Sequence, residues 1–213
     1  MNLDEKTQII DGITYRYSTD WIHSLEGEEH WMIYWHQIGF ILDDLTNGDS
    51  ILEIGPGNGF ITNYLRSKGY RVTTLDIDEG KNPDIVANVV LHEFNETFDH
   101  IIAFEVFEHI PFEKFVSVLP KLKKTCNKNL FFSVPGNYKI WFKLNGIIPY
   151  YKKFSFTLKF RRNKIKADHH FWEYNYKEYT LKKLEKVFTE AGFRLVRTKK
   201  LDLNLFVHLS SAG

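Results

Sequence analysis

From Ser50 onward, the hydrophobic and polar positions divide the chain into short apolar runs and longer segments with helical spacing. Short runs rich in β-branched and aromatic residues predict strands, and apolar residues three and four positions apart predict amphipathic helices. The predicted strands are Ser50–Ile54, Tyr70–Asp78, Pro83–Val90, a strand that begins at Phe98, Asn129–Asn137, Arg194–Lys199 and Asn204–Leu209. The predicted helices are Phe60–Arg66, Phe112–Thr125 and Tyr179–Phe188. This alternation predicts an α/β fold with a Rossmann-like, seven-stranded, mostly parallel sheet and helices on both faces.

The segment before the first predicted strand is dense in aromatic residues. Several of them follow helical spacing up to the turn at Thr46–Asp49, so residues 1–48 are predicted to form an N-terminal helical cap. Such a stripe either packs on the sheet or lines a pocket, and both interpretations stay open. If it lines a pocket, Trp31 and Tyr34 are its candidate substrate contacts. At 213 residues, the whole chain fits one domain.

The first predicted strand ends in three glycines at alternate positions, Gly55, Gly57 and Gly59. Glycines there let the backbone turn sharply and let a ligand approach the main chain at the start of the next helix. A dinucleotide fingerprint needs a further glycine where this chain has Phe60, which disfavours an NAD-linked oxidoreductase. Asp76 lies about twenty residues beyond the loop, the usual distance for a carboxylate that holds a ribose diol. Together these features predict a site for an adenosine-containing cofactor.

The stretch Glu53-Ile54-Gly55-Pro56-Gly57-Asn58-Gly59 resembles motif I of the class I S-adenosylmethionine-dependent methyltransferases. The resemblance implies that S-adenosyl-L-methionine is the cofactor, that S-adenosyl-L-homocysteine is the product, and that the final strand runs antiparallel. In that family, the polar residue that leaves the third strand meets the adenine amino group, and here that position is Asn88. The cofactor contacts implied by the resemblance are Glu53, Gly55, Gly57, Asn58, Asp76, Ile77, Asn88, Phe104 and Glu105.

The loop after the fourth predicted strand reads Glu105-Val106-Phe107-Glu108-His109-Ile110-Pro111. It resembles the signature of the branch that includes ubiquinone-biosynthesis O-methyltransferases, which implies methyl transfer to oxygen. Ligands of open α/β sheets bind beyond the carboxyl ends of the strands, so this loop is expected to face the reacting groups. His109 is therefore the first candidate catalytic base, with a loop-tying structural role as the alternative.

The segment Tyr138–Ala167 contains no acidic residue, but it contains nine lysines and arginines interleaved with aromatic residues such as Trp141. Because the whole chain has a net charge of only +1, positive charge is concentrated in this segment. The pattern favours a docking surface for a phosphate-bearing or lipid-linked acceptor, or peripheral contact with an anionic membrane. A solvated lid is the alternative, and RNA is a weaker third choice. Residues 138–175 are predicted to form a substrate-side insert.

The next stretch, Asp168-His169-His170-Phe171-Trp172-Glu173-Tyr174, is similar to stretches that precede the last helix in bacterial methyltransferases of this broad branch. The resemblance implies a substrate-side position. His170 is accordingly a second candidate catalytic residue, and His169, Trp172 and Glu173 are candidate acceptor contacts.

The cysteine content, the amino terminus and the spacing of the remaining histidines indicate the compartment of the protein and whether it binds a metal. Cys126 is the only cysteine, so no internal disulfide can form and a reducing compartment is expected. The amino terminus is polar and acidic, and no stretch reaches eighteen uninterrupted apolar residues, so the protein is expected to be cytoplasmic. His23, His30 and His36 lack metal-ligand spacing, and no metal site is predicted.

The sequence therefore predicts an S-adenosylmethionine-dependent methyltransferase that acts on a small-molecule, saccharide or lipid-linked acceptor, most simply at oxygen. Two alternatives stay open: a catalytically silent cofactor-binding subunit that holds a partner with its basic insert, and an RNA methyltransferase. An amino-group DNA methyltransferase is disfavoured because the chain lacks an Asn/Asp-Pro-Pro-aromatic tetrapeptide after the fourth strand. A metal-dependent catechol methyltransferase is disfavoured because no acidic pair with a partner asparagine is evident.

Overall fold

The computed structural model describes residues 5–20, 27–147, 153–165, 167–201 and 203–211, so that His23 lies outside the described residues. The strands are β1 (Glu5–Ile10), β2 (Ile13–Ser18), β3 (Ser50–Ile54), β4 (Arg71–Asp76), β5 (Ile85–Val86), β6 (Phe98–Phe104), β7 (Cys126–Pro135), β8 (Tyr138–Ile147), β9 (Lys153–Arg161), β10 (Arg194–Leu201) and β11 (Asn204–Ser210). The helices are α1 (Glu28–Ile41), α2 (Phe60–Ser67), α3 (Phe112–Thr125) and α4 (Leu181–Glu190). Short 3-10 turns lie at Leu42–Asp44, Glu79–Lys81 and Phe107–His109.

The main sheet has seven strands in the order β10-β11-β7-β6-β3-β4-β5. The neighbouring strands from β7 through β5 pair in parallel, whereas β11 runs antiparallel to both β7 and β10. Central strands of such a sheet are buried on both faces, which is why β3 and β6 read as nearly continuous apolar runs. The predicted seven-stranded, mostly parallel sheet with an antiparallel last strand is confirmed. The predicted third strand was too long, because only Ile85–Val86 pairs with β4.

Helices cover both faces of the sheet, as the sequence predicted. Phe131 and Phe132 are consecutive in β7 and therefore point to opposite faces. Phe131 packs in an apolar core with Ile41 of α1 and Leu65 of α2. Phe132 packs in a second core together with residues of α3 and α4, including Phe188. None of the helices in the described ranges is both long and apolar enough to cross a membrane.

The N-terminal segment differs from the predicted helical cap. Strands β1 and β2 form an antiparallel hairpin, here called the N-terminal hairpin, before α1 begins at Glu28. Its turn contains Asp11 and Gly12, both with positive φ, at 51° and 74°. Asp-Gly is a preferred pair for such two-residue turns, because their backbone twist matches that of the flanking strands. The prediction of a helical cap over 1–48 was therefore wrong for this part of the segment.

The insert after β7 is also a hairpin, formed by β8 and β9 and here called the basic hairpin. Residues 148–152 and 166 of the predicted insert lie outside the described residues. Three cross-strand pairs place apolar side chains or glycine on one face of the ribbon: Phe142 with Leu158, Leu144 with Phe156, and Gly146 with Phe154. Phe142, Leu144, Phe154 and Phe156 are each between 41% and 55% exposed. The basic hairpin thus carries a solvent-accessible apolar face.

Candidate functional site

The glycine loop (Gly55–Gly59) joins β3 to α2 at the carboxyl edge of the sheet. Gly55, Gly57 and Gly59 have φ values of 71°, 56° and 75°, which side chains other than glycine rarely adopt. A Cβ on Gly55 would also lie 2.5 Å from a methyl group of Val106. The side-chain oxygen of Asn58 accepts a hydrogen bond from the backbone N–H of Phe60 at 3.1 Å. The loop therefore requires its three glycines for conformation, and Gly55 for space as well.

Glu53 lies beneath this loop rather than in the open crevice. Its side chain is buried, and one carboxylate oxygen accepts a hydrogen bond from the hydroxyl of Thr62 in α2. Burial raises the pKa of Glu53 to about 7, while the Thr62 hydrogen bond acts in the opposite direction. The geometry thus makes Glu53 a residue that positions α2 against β3. The prediction of a direct cofactor contact is not supported by this placement.

Asp76 ends β4, beside the glycine loop, and Ile77 follows it in a half-buried position. The Asp76 carboxylate is buried, and both of its oxygens have partners. Oδ1 accepts a hydrogen bond from the backbone N–H of Asp78 at 2.8 Å, and Oδ2 lies 3.0 Å from Nζ of Lys81. Sequence reasoning did not identify Lys81, although a lysine five residues from a predicted ribose-binding carboxylate was the available signal.

The N-terminal hairpin is attached next to this carboxylate. Asp78, which is buried, accepts hydrogen bonds from Thr19 Oγ1 at 2.6 Å and from Lys6 Nζ at 3.2 Å. These bonds and the desolvation that opposes them leave the pKa of Asp78 below its usual value. The segment that includes β1, β2 and Thr19 therefore lies beside the predicted cofactor crevice, a contact that the sequence analysis missed.

Asn88 lies in the loop after β5, half-buried, as expected for a residue at the adenine end of the crevice. Its side-chain carbonyl oxygen accepts a hydrogen bond from the backbone N–H of Val90 at 2.9 Å. The Asn88 side chain also forms a hydrogen bond with Tyr15 of the N-terminal hairpin. The carbonyl expected to meet the adenine amino group thus already has a backbone partner.

Phe104 and Glu105 follow β6 at the centre of the same edge. Glu105 has a φ of 55°, a left-handed conformation that is costly for a residue with a side chain and is often found at functional sites. Its backbone N–H and its carboxylate both bond to Ser133 of β7, at 3.1 Å and 2.6 Å. Phe104 packs against Phe206 with ring centroids 6.1 Å apart. Glu105 is therefore held in place by the neighbouring strand.

Three histidines from two distant segments meet beyond the end of β6. His109 stacks on His169 with ring centroids 5.0 Å apart, and both rings lie edge-to-face with His170 at 5.0 Å and 4.8 Å. We call His109, His169 and His170 the histidine cluster. Each of these residues was predicted from the sequence as a separate candidate, because about sixty positions separate His109 from the other two.

Trp172 joins the two segments that carry the cluster. Its indole N–H donates hydrogen bonds to the backbone carbonyls of Phe107 at 2.9 Å and Ile110 at 3.1 Å, and the side chain is fully buried. The backbone N–H of Phe171 adds a bond to the Glu108 carbonyl at 2.8 Å. Trp172 therefore cannot contact the acceptor, and its prediction as a substrate residue was wrong. The resemblance of its stretch to other methyltransferases implied a substrate-side position, but the Trp172 ring packs in the core.

Glu173 is also buried, and it holds His170 in place. Its carboxylate accepts a hydrogen bond from Asn137 Nδ2 at 2.6 Å and lies 2.9 Å from His170 Nδ1. Asn137 in turn donates to the backbone carbonyl of Lys164 at 2.7 Å, which connects the base of the basic hairpin to the cluster. Glu173 was predicted as an acceptor contact, but its full burial makes it a positioning residue.

The electrostatic environment keeps two of the cluster's imidazoles neutral. Desolvation, and then the neighbouring His170 and His169, lower the pKa of His109, although about a third of its side chain is accessible (35%). The pKa of His169 is also lowered, mainly by desolvation and by His170. Burial raises the pKa of Glu108 well above its usual value, with Glu105 and Glu173 contributing. A neutral imidazole with an available lone pair can accept a proton or bind a metal.

The aromatic residues predicted as substrate contacts lie in two places. Tyr34 of α1 stacks on Phe60 at 4.8 Å, and Trp31 meets the same ring edge-to-face at 4.9 Å. This cluster lies beside the glycine loop, because Phe60 is the first residue of α2. Trp141, by contrast, is 72% exposed on the basic hairpin.

A family model described as "Methyltransferase domain" matches residues 34–198. No curated protein matches the sequence significantly. Among solved structures, the N-methyltransferase NodS of Bradyrhizobium japonicum WM9, in complex with S-adenosyl-L-homocysteine, has a TM-score of 0.62 at 12% identity and covers 89% of this chain and 91% of that chain. Magnesium protoporphyrin IX methyltransferase of Synechocystis PCC 6803, with bound S-adenosylhomocysteine, has a TM-score of 0.60 at 14% identity and covers 85% and 83%. At these identities the structural likeness establishes a shared fold.

Proposed function

The chain belongs to the methyltransferase domain family, and from this premise we propose that it transfers the methyl group of S-adenosylmethionine to an oxygen atom of a small-molecule, saccharide or lipid-linked acceptor. The observation that carries the proposal is the position of the glycine loop, Asp76 and His109. They follow the carboxyl ends of β3, β4 and β6, which are neighbours in the sheet. Open α/β sheets bind their ligands at this edge. We treat residues 1–213 as one methyltransferase domain, with residues 138–175 on its substrate side.

For the cofactor, the glycine loop would lie under the methionine portion and Asp76 would hold the ribose. Glu53 supports the loop from its buried side and positions the helix that follows. The strained Glu105, fixed by Ser133, would stand near the transferred methyl group. The direct cofactor contacts that we propose are Gly55, Gly57, Asn58, Asp76, Ile77, Asn88, Phe104 and Glu105.

For the chemistry, the acceptor oxygen attacks the methyl carbon while the electron pair of the carbon–sulfur bond returns to sulfur. The products are the methylated acceptor and S-adenosylhomocysteine, and the hydroxyl proton must go to a base. His109 lies beyond the end of β6 with about a third of its side chain accessible, and it is our first candidate for that base. His170, oriented by Glu173, is the second. Alignment of the reacting atoms supplies much of the rate acceleration.

The resemblance of the Glu105–Pro111 loop to ubiquinone-branch O-methyltransferases supports oxygen as the target. The acceptor that we propose is lipid-linked and carries an anionic group. The apolar face of the basic hairpin would take the acyl or prenyl chain, and the surrounding lysines and arginines would take the anion. Peripheral contact with an anionic membrane would follow if such an acceptor is met within its bilayer.

Calorimetry with S-adenosylmethionine, S-adenosylhomocysteine and NAD tests the cofactor part of the proposal. We expect both sulfur compounds to bind and NAD not to bind at millimolar concentration; the reverse pattern would overturn it. Transfer of labelled methyl to phenols and saccharides, each with and without an acyl chain and an anionic group, tests the acceptor. A His109→Gln variant should keep its cofactor affinity and lose turnover. Cofactor binding without transfer to any acceptor would favour the silent binding subunit instead.

A further inference from the structure

The histidine cluster has the composition of a metal site. Each of its three residues offers one ring nitrogen, and these nitrogens all lie within 4.8 Å of one another. The ligands come from the turn Phe107–His109 and from the loop after β9, which explains why no local spacing motif revealed them. In the described part of the chain, no other group of three or more histidine, cysteine or carboxylate side chains has this arrangement.

We propose that His109, His169 and His170 bind one divalent transition metal ion of the kind that prefers imidazole, with Zn²⁺ as the representative ion. Zinc–nitrogen bonds of roughly 2.0–2.1 Å place tetrahedral ligand nitrogens roughly 3.3 Å apart. The largest separation between the ligand nitrogens must therefore shrink by at most about 1.5 Å to reach tetrahedral spacing. His169 is exposed and His109 is partly exposed, so rotation of these two side chains provides that closure.

The surroundings of the cluster support binding of a cation. Metal-binding histidines usually donate their second ring N–H to a carboxylate, which fixes the tautomer and orients the ring. His170 has this arrangement, because its Nδ1 lies 2.9 Å from the buried carboxylate of Glu173. Asn137 holds the other oxygen of that carboxylate. Nε2 of His170 is thereby left as the ligand atom.

Glu108, the residue before His109, is a second buried acidic side chain near the cluster. Oε1 of Glu108 is 3.8 Å from Nε2 of His109, and the side chain is 1% exposed. Its Oε2 has no hydrogen-bond partner among the described residues. A buried polar oxygen without a partner is costly, and a cation bound by the adjacent imidazoles would give this oxygen an electrostatic partner.

The cluster borders an open cleft between the N-terminal hairpin and the loop that carries His169. The residues that line this cleft are Gly12, Ile13, Thr14, Arg16, Asp168, His169, His170 and Phe171. Three protein ligands leave a coordination position for water or for a ligand oxygen, as in catalytic rather than structural zinc sites. If the proposed function holds, an acceptor hydroxyl bound to the ion in the metal-loaded protein would lose its proton more readily, to water in the open cleft, and His109 would act as a ligand instead of a base.

Metal binding can be measured without any methyl transfer. Chelator-treated protein without a polyhistidine tag is titrated with Zn²⁺ by calorimetry, and with Co²⁺ while its visible absorption is recorded. We expect one equivalent to bind and the Co²⁺ complex to show the absorption of a four- or five-coordinate ion. His169→Ala should weaken metal binding at least tenfold. Because His169 is exposed, this substitution should leave the fold intact. His92→Ala, outside the cluster, should change nothing.

Replacement of Glu173 by Gln tests its positioning role and should weaken metal binding by about 10- to 100-fold, the usual effect of losing such a carboxylate. Thermal unfolding of each variant, with and without Zn²⁺, checks that the protein remains folded. Absence of stoichiometric binding, or equal losses in His169→Ala and His92→Ala, would overturn the proposal. S-adenosylmethionine titrations on the same samples keep this outcome separate from a failure of the proposed function.

Discussion

The ammonium group of Lys81 lies 3.0 Å from the Asp76 carboxylate, the group expected to hold the cofactor's ribose. The two side chains are 12% and 4% exposed, so little water screens the pair. The backbone N–H of Asp78 is bound to the other oxygen, so each carboxylate oxygen already has one partner. A ribose diol must therefore displace Lys81 or share Asp76 with it.

Replacement of Asp76 by Ala should weaken binding of S-adenosylmethionine and its product by about 1.5–3 kcal/mol, because hydrogen bonds to a charged group are lost. Lys81→Met should instead strengthen binding, since it removes the competing ammonium group while keeping much of the side chain's volume. Calorimetry on both variants measures these changes. Unchanged affinity in Asp76→Ala would remove Asp76 from the site, and weaker binding in Lys81→Met would show that Lys81 assists the cofactor.

Trp172→Phe should lower the free energy of unfolding by about 1–3 kcal/mol, because two buried backbone carbonyls lose their donor. The benzyl ring retains part of the packing against Phe112 and Phe115, whose centroids lie 5.2 Å from the indole. Turnover should fall by more than the loss of folded protein explains, since Trp172 joins the segments that carry the histidine cluster. Urea unfolding and methyl-transfer rates measure the two effects. The exposed Trp141→Phe is the matched control and should leave stability unchanged.

The sheet was predictable because buried parallel strands and amphipathic helices each have a characteristic local pattern of apolar residues. The placement of Gly55 and Asp76 at the ends of neighbouring strands was also predictable, since their spacing reflects a strand, a turn, a helix and a second strand. The N-terminal hairpin was missed even though Asp11-Gly12 is a strong turn signal. The dense aromatic residues that follow it favoured a helical interpretation of the whole segment.

The histidine cluster could not be predicted, because it depends on the contact between two loops. That contact exists only after Trp172 is buried and its indole N–H reaches the Phe107 carbonyl. Burial of Trp172 and of Glu173 depends on tertiary packing, which cannot be inferred from the residue type alone. His109 and His170 were therefore identified as isolated candidates, and their proximity is a property of the fold.

Replacement of Lys139, Lys143 and Lys159 by Gln should weaken the binding of an anionic lipid-linked acceptor and flatten its dependence on salt. All three lie on the basic hairpin, and charge-driven docking at an exposed surface is screened by salt. Affinity for S-adenosylmethionine should not change. Flotation with anionic and neutral vesicles, compared with binding of the isolated acceptor, separates a membrane role from recognition of the acceptor itself. Normal acceptor affinity in the triple variant would make the basic hairpin a solvated lid.

The raised pKa of Glu53 predicts a stability that falls as the pH rises. The pKa of Glu53 is about 7 in the folded protein against 4.5 for an ordinary glutamate, so between these pH values the folded state binds more protons than the unfolded state. The contribution of Glu53 to the free energy of unfolding should decline by about 3 kcal/mol between these pH values and then stay constant, since one pKa unit corresponds to about 1.4 kcal/mol. Urea unfolding of the wild type and of Glu53→Gln at pH 4.5, 6 and 7.5 measures the effect.

Glu53→Gln should gain stability relative to the wild type as the pH rises, because the neutral amide retains the Thr62 hydrogen bond without a titrating proton. His208→Gln should change the pH dependence of the free energy of unfolding in the opposite direction. Burial lowers the pKa of His208 to about 4, so the unfolded state binds more protons between that pH and 6.5, and the wild type loses stability on acidification. The two variants should therefore diverge from the wild type at opposite ends of the pH range. A stability difference between wild type and Glu53→Gln that is constant with pH would mean that the pKa of Glu53 is the same in the folded and unfolded protein.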